Sequence, residues 1–134
     1  MKTIEQTVEF TGLSPSQLFE TYMDSEQHAA AIGAPASIKR RVGGAFRAFG
    51  DKGLRGTILH VVPNRMVVQT WRSQTQWKAT EPDSILVLNF EKTITGARLV
   101  LVHSGIPDRD FDLFNQGWHD RYWNRWRLHF AIKR

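Results

Sequence analysis

The last long segment of this chain constrains its fold more than any other feature, because aromatic side chains recur there at helical spacing. From Asp108, which follows Pro107 and can cap a helix, to about Ile132 the sequence contains no proline and predicts one helix. A helix of roughly 24 residues is about 36 Å long and crosses a small domain. At about 100° per residue its aromatic side chains form one broad stripe: Phe111, Phe114, Trp118, Tyr122, Trp126 and Phe130. Such a stripe needs a large apolar surface to cover it.

The sequence before this helix supplies that surface as an antiparallel β-sheet. Pro63-Asn64 predicts a hairpin connection, and residues 34–53 contain short strands joined by glycine turns. Alternating apolar and polar residues predict six main strands: Thr3–Thr11, Ala45–Phe49, Leu54–Val62, Arg65–Arg72, Ser84–Glu91 and Ala97–Ser104.

Two short helices are expected after the first strand. Ser14 can cap the first of them, with Pro15 in its first turn and Gln17 completing a capping box. The second covers Ser25–Ile32 and ends at Gly33. The predicted fold is therefore α+β, a single domain over residues 1–134 in which a curved antiparallel sheet of about six or seven strands wraps around the long C-terminal helix.

Composition excludes several classes of protein. The chain has 134 residues and no cysteine, so it has no disulfide framework, catalytic thiolate or cysteine-ligated metal. It contains no stretch of about 20 apolar residues and no signal-peptide pattern, so we expect no membrane span and a cytoplasmic location. The net charge is +5, but the basic residues are spread widely and form one tight run, Lys39-Arg40-Arg41, without a nucleic-acid-binding motif. Nucleic acid is therefore not an expected partner.

Motifs that carry catalysis or bind metals are missing from the sequence. There is no G-x-S-x-G, no H-E-x-x-H and no glycine-rich phosphate loop before a helix. Asp108-x-Asp110-x-Asp112 resembles the start of a calcium loop, but Leu113 and His119 stand where that loop needs glycine and glutamate. We therefore predict no catalytic residue, cofactor or metal, although catalytic groups distant in sequence leave an enzyme as an alternative.

Polar residues within the aromatic stripe suggest a binding site. Asn115 and His119 are four residues apart, so they lie above one another, near the centre of the stripe on a helical wheel. A buried polar group without a partner costs about 1–3 kcal/mol, so these residues either find protein partners or face a cavity with a ligand. Gly117, between them, indicates a kink or a close approach to the sheet.

A co-linear set of short motifs spans the chain from Asp24 to Phe130. It comprises Val42-Gly43-Gly44-Ala45-Phe46, Gly53, Gly56, Pro63, Trp71-Arg72, Trp77, Ser84, Phe90, Gly105-Ile106-Pro107, Gly117-Trp118, Tyr122-Trp123, Trp126 and Phe130. In this set the chain resembles the C-terminal domain of the activator of heat-shock protein 90 ATPase and its stand-alone homologues, within the START-like (SRPBCC, birch-pollen-allergen-like) superfamily. One departure is Ala29-Ala30-Ala31-Ile32-Gly33, where many stand-alone members carry a tryptophan.

The resemblance implies a helix-grip fold with a cavity between the sheet and the C-terminal helix, which relatives use for lipids and other apolar small molecules. It implies Trp71 and Trp118 as residues of the core or cavity wall. We therefore predict a non-catalytic domain that binds a small hydrophobic or lipid-like molecule through six residues: Trp71, Asn115, Trp118, His119, Tyr122 and Trp126.

Two other functions stay open at this point. One is a chaperone-interaction module that regulates a heat-shock protein 90 ATPase in a stress response, which the positive charge would suit if the partner is acidic. The other is a cyclase or hydrolase that uses the same cavity with His119 as general base. A homodimer is also expected, because Ser84–Phe90 is apolar on both faces except at Ser84 and Asn89.

Overall fold

The protein is described by a computed structural model that covers the backbone of residues 1–133 and the side chains of residues 1–132. The elements before the C-terminal helix are β1 (Lys2–Thr11), α1 (Pro15–Met23), α2 (Ser25–Ile32), β2 (Ala36–Ile38), β3 (Ala45–Ala48), β4 (Leu54–Val62), β5 (Met66–Ser73), β6 (Ser84–Lys92) and β7 (Gly96–Ile106). The C-terminal helix consists of a 3₁₀ turn (Asp108–Asp110), α3 (Phe111–Trp118), a π-helical turn (His119–Trp123) and α4 (Asn124–Lys133).

All seven strands form one antiparallel sheet in the order β1-β7-β6-β5-β4-β3-β2. Its inner face packs against the C-terminal helix and the two short helices, and alternate residues are buried along β5, along β6 as far as Phe90 and along β7 as far as His103. This arrangement confirms the predicted α+β fold and the helix-grip topology. The predicted strand boundaries lie within two residues of the observed ones, because alternation of burial follows the alternation in the sequence.

The two short helices begin and end where the sequence predicts. At the start of α1, the Gln17 amide donates to Ser14 Oγ (3.1 Å), and the Ser14 amide donates to Gln17 Oε1 (2.8 Å). Helix α2 is capped by Asp24, whose carboxylate accepts from the Gln27 amide at 3.0 Å. It ends at Gly33, which has the left-handed φ of 66° that glycine tolerates best.

The π-helical turn is the main departure from the predicted regular helix. The Asn124 amide donates to the His119 carbonyl, five residues back, instead of four. In a regular α-helix, residues five apart diverge by about 140°. Here the rings of Trp118 and Trp123 stack at 5.6 Å with an angle of 13°. The turn therefore buries both tryptophans on the same side of the helix.

The helix also starts differently from the expected capping by Asp108. The position before the first turn is Pro107, and no side chain caps it. Asp108 instead forms an ion pair with the N-terminal amine of Met1 at 3.0 Å, which lowers the pKa of its carboxyl group. Asp110 is buried and accepts a hydrogen bond from Trp77 Nε1 at 3.0 Å. This bond ties the loop between β5 and β6 to the helix.

Candidate functional site

A cleft of about 450 Å³ opens between the C-terminal helix and the sheet near β4 and β5. Its walls come from the turn between β3 and β4, the facing ends of β4 and β5, the loop after β5, and α3 with the π-helical turn. The lining residues are Phe49, Lys52, Gly53, Leu54, Trp71, Ser73, Thr75, Gln76, Leu113, Phe114, Gln116, Gly117, Trp118, Asp120, Arg121 and Tyr122. We call this space the helix–sheet cleft.

Three of the six residues predicted to bind a ligand line the helix–sheet cleft: Trp71, Trp118 and Tyr122. All three are largely buried. The ring centroids of Trp118 and Tyr122 are 4.8 Å apart, and the Trp71 ring lies 6.3 Å from Trp118. Phe114 lies 5.1 Å from Trp71 and extends the same surface. The innermost wall of the cleft is therefore aromatic.

The other three predicted residues lie elsewhere. Asn115 faces β1, where its carbonyl and side-chain oxygens accept from Gln6 Nε2 at 2.8 and 3.1 Å. His119 is half-exposed at the start of the π-helical turn and does not line the cleft. Trp126 is buried between Phe10 and Phe130, with ring distances of 6.0 and 6.1 Å. A helical wheel puts Asn115 and His119 near the centre of the aromatic stripe. In the structure Asn115 lies on the side of the stripe that faces β1, and His119 lies on the side that is partly exposed to solvent.

Gly117 leaves room in the middle of the cleft wall. Residues three and four positions away on either side, including Phe114 and Arg121, line the same cleft. A Cβ atom built on Gly117 would meet no heavy atom within 4 Å. The expected close approach to the sheet is therefore wrong, and the missing side chain instead widens the helix–sheet cleft.

A chain of buried hydrogen bonds runs directly behind the aromatic wall. Trp118 Nε1 donates to His103 Nδ1 at 3.2 Å, and His103 Nε2 lies 2.8 Å from Ser84 Oγ. The Ser84 hydroxyl donates to the Trp71 carbonyl at 2.6 Å. Because Nδ1 accepts a hydrogen bond, the proton of the neutral ring is on Nε2. The Nε2–H group therefore donates a hydrogen bond to Ser84 Oγ. Burial lowers the pKa of His103 to about 3, which keeps the ring in this neutral form.

A second buried histidine fixes the hydroxyl group of Tyr122. His28 Nδ1 donates a hydrogen bond to the Tyr22 carbonyl at 2.7 Å, so Nε2 is unprotonated. Nε2 accepts a hydrogen bond from the Tyr122 hydroxyl group at 2.9 Å. Burial lowers the pKa of His28 to about 4 and raises the pKa of Tyr122 above its ordinary range. The phenol of Tyr122 therefore points into the protein, and only its ring is presented to the cleft.

The mouth of the cleft is formed by Phe49 and two cations, none of which the sequence analysis singled out. Phe49 has a φ of 64°, a left-handed conformation that is uncommon outside glycine. Its ring lies 5.9 Å from that of Tyr122, and the Arg121 guanidinium stands 5.7 Å from its centroid. Lys52 lines the same edge. The glycines within Phe49–Gly53 predict a turn from the sequence. They do not show how far that turn lies from the C-terminal helix.

Within residues 1–132, no group of three or more histidine and acidic side chains is arranged to hold a metal ion. None of the helices described is long and apolar enough to span a bilayer. Each buried histidine is instead satisfied by protein groups.

Solved structures share this fold at low sequence identity. An HSP90 activator from Plasmodium falciparum is 19% identical, with 96% of each chain covered and a TM-score of 0.82. A protein from Mesorhizobium loti is 20% identical, with 99% of each chain covered and a TM-score of 0.83. The Aha1 dimer from Colwellia psychrerythraea is 17% identical, with 89% of each chain covered and a TM-score of 0.70. No curated protein sequence matches the chain.

The sequence itself matches one protein family, over residues 13–125. This range contains α1, α2, β2 to β7, α3 and the π-helical turn, and it therefore includes every residue that lines the helix–sheet cleft. The chain belongs to the family of activator of Hsp90 ATPase homolog 1-like proteins.

Proposed function

We propose that this protein is a non-catalytic binding domain that takes up a small, mainly apolar molecule in the helix–sheet cleft. The observation that carries this proposal is the cleft itself, about 450 Å³ with Trp71, Trp118 and Tyr122 on its inner wall. Ligand sites of this kind are concave and apolar with a few polar groups, and they begin at about 300 Å³. Asn115, His119 and Trp126 are not part of the proposed contact surface.

The polar groups around the cleft suggest an amphipathic ligand. The polar side chains of Ser73 and Gln76 line the cleft, and Lys52 and Arg121 lie at its rim. A ligand with a carbonyl or hydroxyl group could form hydrogen bonds with these side chains while its apolar part covers the tryptophans.

The direction of the buried hydrogen bonds supports a role without catalysis. A serine nucleophile needs a histidine nitrogen that accepts its proton. Here His103 carries its proton toward Ser84, and the Ser84 hydroxyl is committed to the Trp71 carbonyl. His119, considered above as a general base, does not line the cleft.

The proposal is tested by a thermal-shift screen against fatty acids, flavonoids and polyketide-like aromatics. At about 100 times its dissociation constant, a ligand adds about 2.7 kcal/mol of stability, which raises Tm by several degrees in a domain of this size. We expect Gly117→Leu to abolish the shift by occupying part of the cleft, because a Cβ atom at this position meets no heavy atom within 4 Å. Asn124→Leu is the matched control, because Asn124 is exposed on the same helix and lies outside the cleft.

Two results would contradict ligand binding in the cleft. One is a screen in which no compound raises the Tm of the unmodified protein. The other is a hit that survives in Gly117→Leu, which would place the ligand elsewhere on the molecule.

A second candidate function is regulation of a heat-shock protein 90 ATPase. It is favoured by membership of the family and by the shared fold of the HSP90 activator from Plasmodium falciparum. Because a fold hosts many functions, the similarity is a reason to test this role and not a demonstration of it. The test measures the ATPase rate of the chaperone from the same organism at low salt. An unchanged rate at saturating protein would exclude this function.

A further inference from the structure

The positive charge of the protein is concentrated in one part of the chain. Residues 33–62, which contain β2, β3 and β4, hold six lysines and arginines against one acidic residue. The rest of the chain holds twelve of each sign, so this segment accounts for the whole net charge of +5. These three strands are neighbours at one end of the sheet. The charge excess is therefore local in space as well as in sequence.

Two arginines of this segment lie directly opposite each other on the outer face of the sheet. Arg47 of β3 is paired in register with Arg55 of β4, and both side chains are exposed. Arg55 is in turn paired with Arg72 of β5. The charge of Arg72 is neutralised by Asp83 at 2.6 Å, whereas Arg47 and Arg55 have no ion-pair partner among the described residues. Like charges opposite each other destabilise a sheet. This pair therefore lowers the stability of the fold, and no ion pair among the described residues offsets that loss.

Exposed apolar side chains lie beside the arginines. The Gly43 amide donates to the Ile58 carbonyl at 2.7 Å, so the segment that contains Val42 runs beside the part of β4 that contains Leu59. Val42 is 65% exposed and Leu59 is 43% exposed. Arginine next to exposed apolar groups is the composition found at protein interfaces. We call this surface the β2–β4 face and define it by Lys39, Val42, Ala45, Arg47, Arg55 and Leu59.

The free edge of the sheet at this end is closed to strand addition. Ser25 Oγ accepts from the Ile38 amide at 2.8 Å and lies 3.4 Å from the Ile38 carbonyl, so it occupies the outward groups of Ile38 in a strand of three residues. A partner that extends the sheet by backbone pairing is therefore disfavoured. Contact would have to be made through side chains of the β2–β4 face.

We propose that the β2–β4 face is a docking surface for an acidic protein segment that also carries apolar side chains. Carboxylates of the partner would pair with Arg47 and Arg55, whose planar guanidinium groups bind carboxylates in a bidentate manner. Its apolar side chains would cover Val42 and Leu59. This interaction uses the outer face of the sheet, opposite to the helix–sheet cleft, and does not depend on a ligand in the cleft.

The same surface is a poor match for nucleic acid. Binding to a phosphate backbone uses cations along an extended track, and single strands add stacking on exposed aromatic rings. The β2–β4 face carries three basic side chains and no aromatic ring, and its apolar residues are aliphatic. The composition therefore favours a protein partner.

The test measures binding of a fluorescein-labelled synthetic peptide, in which glutamates alternate with leucines, by fluorescence anisotropy at low salt. We expect binding that weakens as salt rises, and backbone amide shifts in ¹⁵N spectra that centre on residues 39–59. The double variant Arg47→Glu/Arg55→Glu should weaken binding by about tenfold or more. Arg47→Gln/Arg55→Gln should weaken it less, and it serves as the second variant if charge reversal impairs folding.

The matched control is Arg65→Glu/Lys92→Glu, which changes the net charge equally at two exposed positions in hairpins away from this face. It should keep binding within about twofold of the unmodified protein. The proposal is overturned if this control weakens binding as much as the arginine variants do. It is also overturned if the peptide does not bind, or if a single-stranded oligonucleotide of equal length binds more tightly.

Discussion

Two histidines lie in the core with both ring nitrogens bonded to protein groups. His28 joins a backbone carbonyl to the Tyr122 hydroxyl, and His103 joins Trp118 to Ser84. In both cases one ring nitrogen accepts a hydrogen bond and must therefore be unprotonated, so the ring is neutral in the folded protein. Protonation would break a buried hydrogen bond and place a charge in an apolar surrounding. These two residues therefore make the fold sensitive to acid.

Stability should fall as the pH is lowered from 7 to 5. Both pKa values are lowered in the folded state, to about 4 for His28 and about 3 for His103, from 6.5 when unfolded. The unfolded chain therefore binds more protons below pH 6.5, which costs about 1.4 kcal/mol per pH unit for each histidine, or roughly 2 kcal/mol each by pH 5. The full stability is present above pH 6.5. Urea unfolding at several pH values measures this slope.

The variant His103→Gln separates this effect from general acid sensitivity. It should be less stable than the unmodified protein at pH 7, because its buried partners lose their hydrogen bonds, but its stability should depend less steeply on pH. His60→Gln is the control, since His60 is exposed. An equal slope in all three proteins would contradict the assignment.

The C-terminal helix and the strands differ in how far their structure follows from local sequence. The strands and the Ser14 capping box were predictable, because each depends on residues adjacent in the chain. The π-helical turn was not, since a wheel with a fixed angle per residue cannot register an extra residue in one turn. The hydrogen bond between His103 and Ser84 was not predictable either, because these residues are 19 positions apart and meet only through the pairing of β6 with β7. Long-range pairing of this kind is set by tertiary packing.

Two glycine-to-alanine variants should have opposite effects on stability. Gly117→Ala should stabilise the protein by about 1 kcal/mol, because alanine favours the helix and its Cβ meets no atom within 4 Å. Gly56→Ala should destabilise it by about 3 kcal/mol or more, because a Cβ there would lie 1.9 Å from the Thr70 carbonyl oxygen. Urea midpoints of the two variants measure the difference. A loss of stability in Gly117→Ala would contradict the open space assigned to it.

At the scale of the whole molecule, the fold and the family were accessible from sequence, but the extent of the cleft was not. The aromatic stripe predicted a helix gripped by a sheet. It did not show that Trp123, Trp126, Phe10 and Phe130 pack against one another, whereas Trp118 and Tyr122 line an open cleft. The opening depends on where the turn after β3 meets the helix, and that distance is set by the curvature of the sheet.

The outer face of the sheet should mediate a homodimer. Val68, Val87 and Val102 are paired in register across β5, β6 and β7, and Ile85 beside them is 38% exposed. A row of apolar residues on a solvent-facing sheet favours association. We expect sedimentation velocity to show twice the monomer mass at high concentration, and Val87→Lys to restore the monomer. Leu128→Lys, on the exposed side of the helix, is the control. A monomer at every concentration would contradict this expectation.

The π-helical turn also affects how this chain is compared with its relatives. One turn of the helix contains an additional residue between His119 and Trp123. Suppose that a relative has an uninterrupted α-helix at this place. An alignment without a gap would then be shifted by one position on one side of the turn, so residues that are not structurally equivalent would be matched. A one-position gap within residues 119–123 would restore equivalence of the buried aromatic positions. For such a relative, identity counted without that gap would understate the relatedness of the helix that holds three of the five tryptophans.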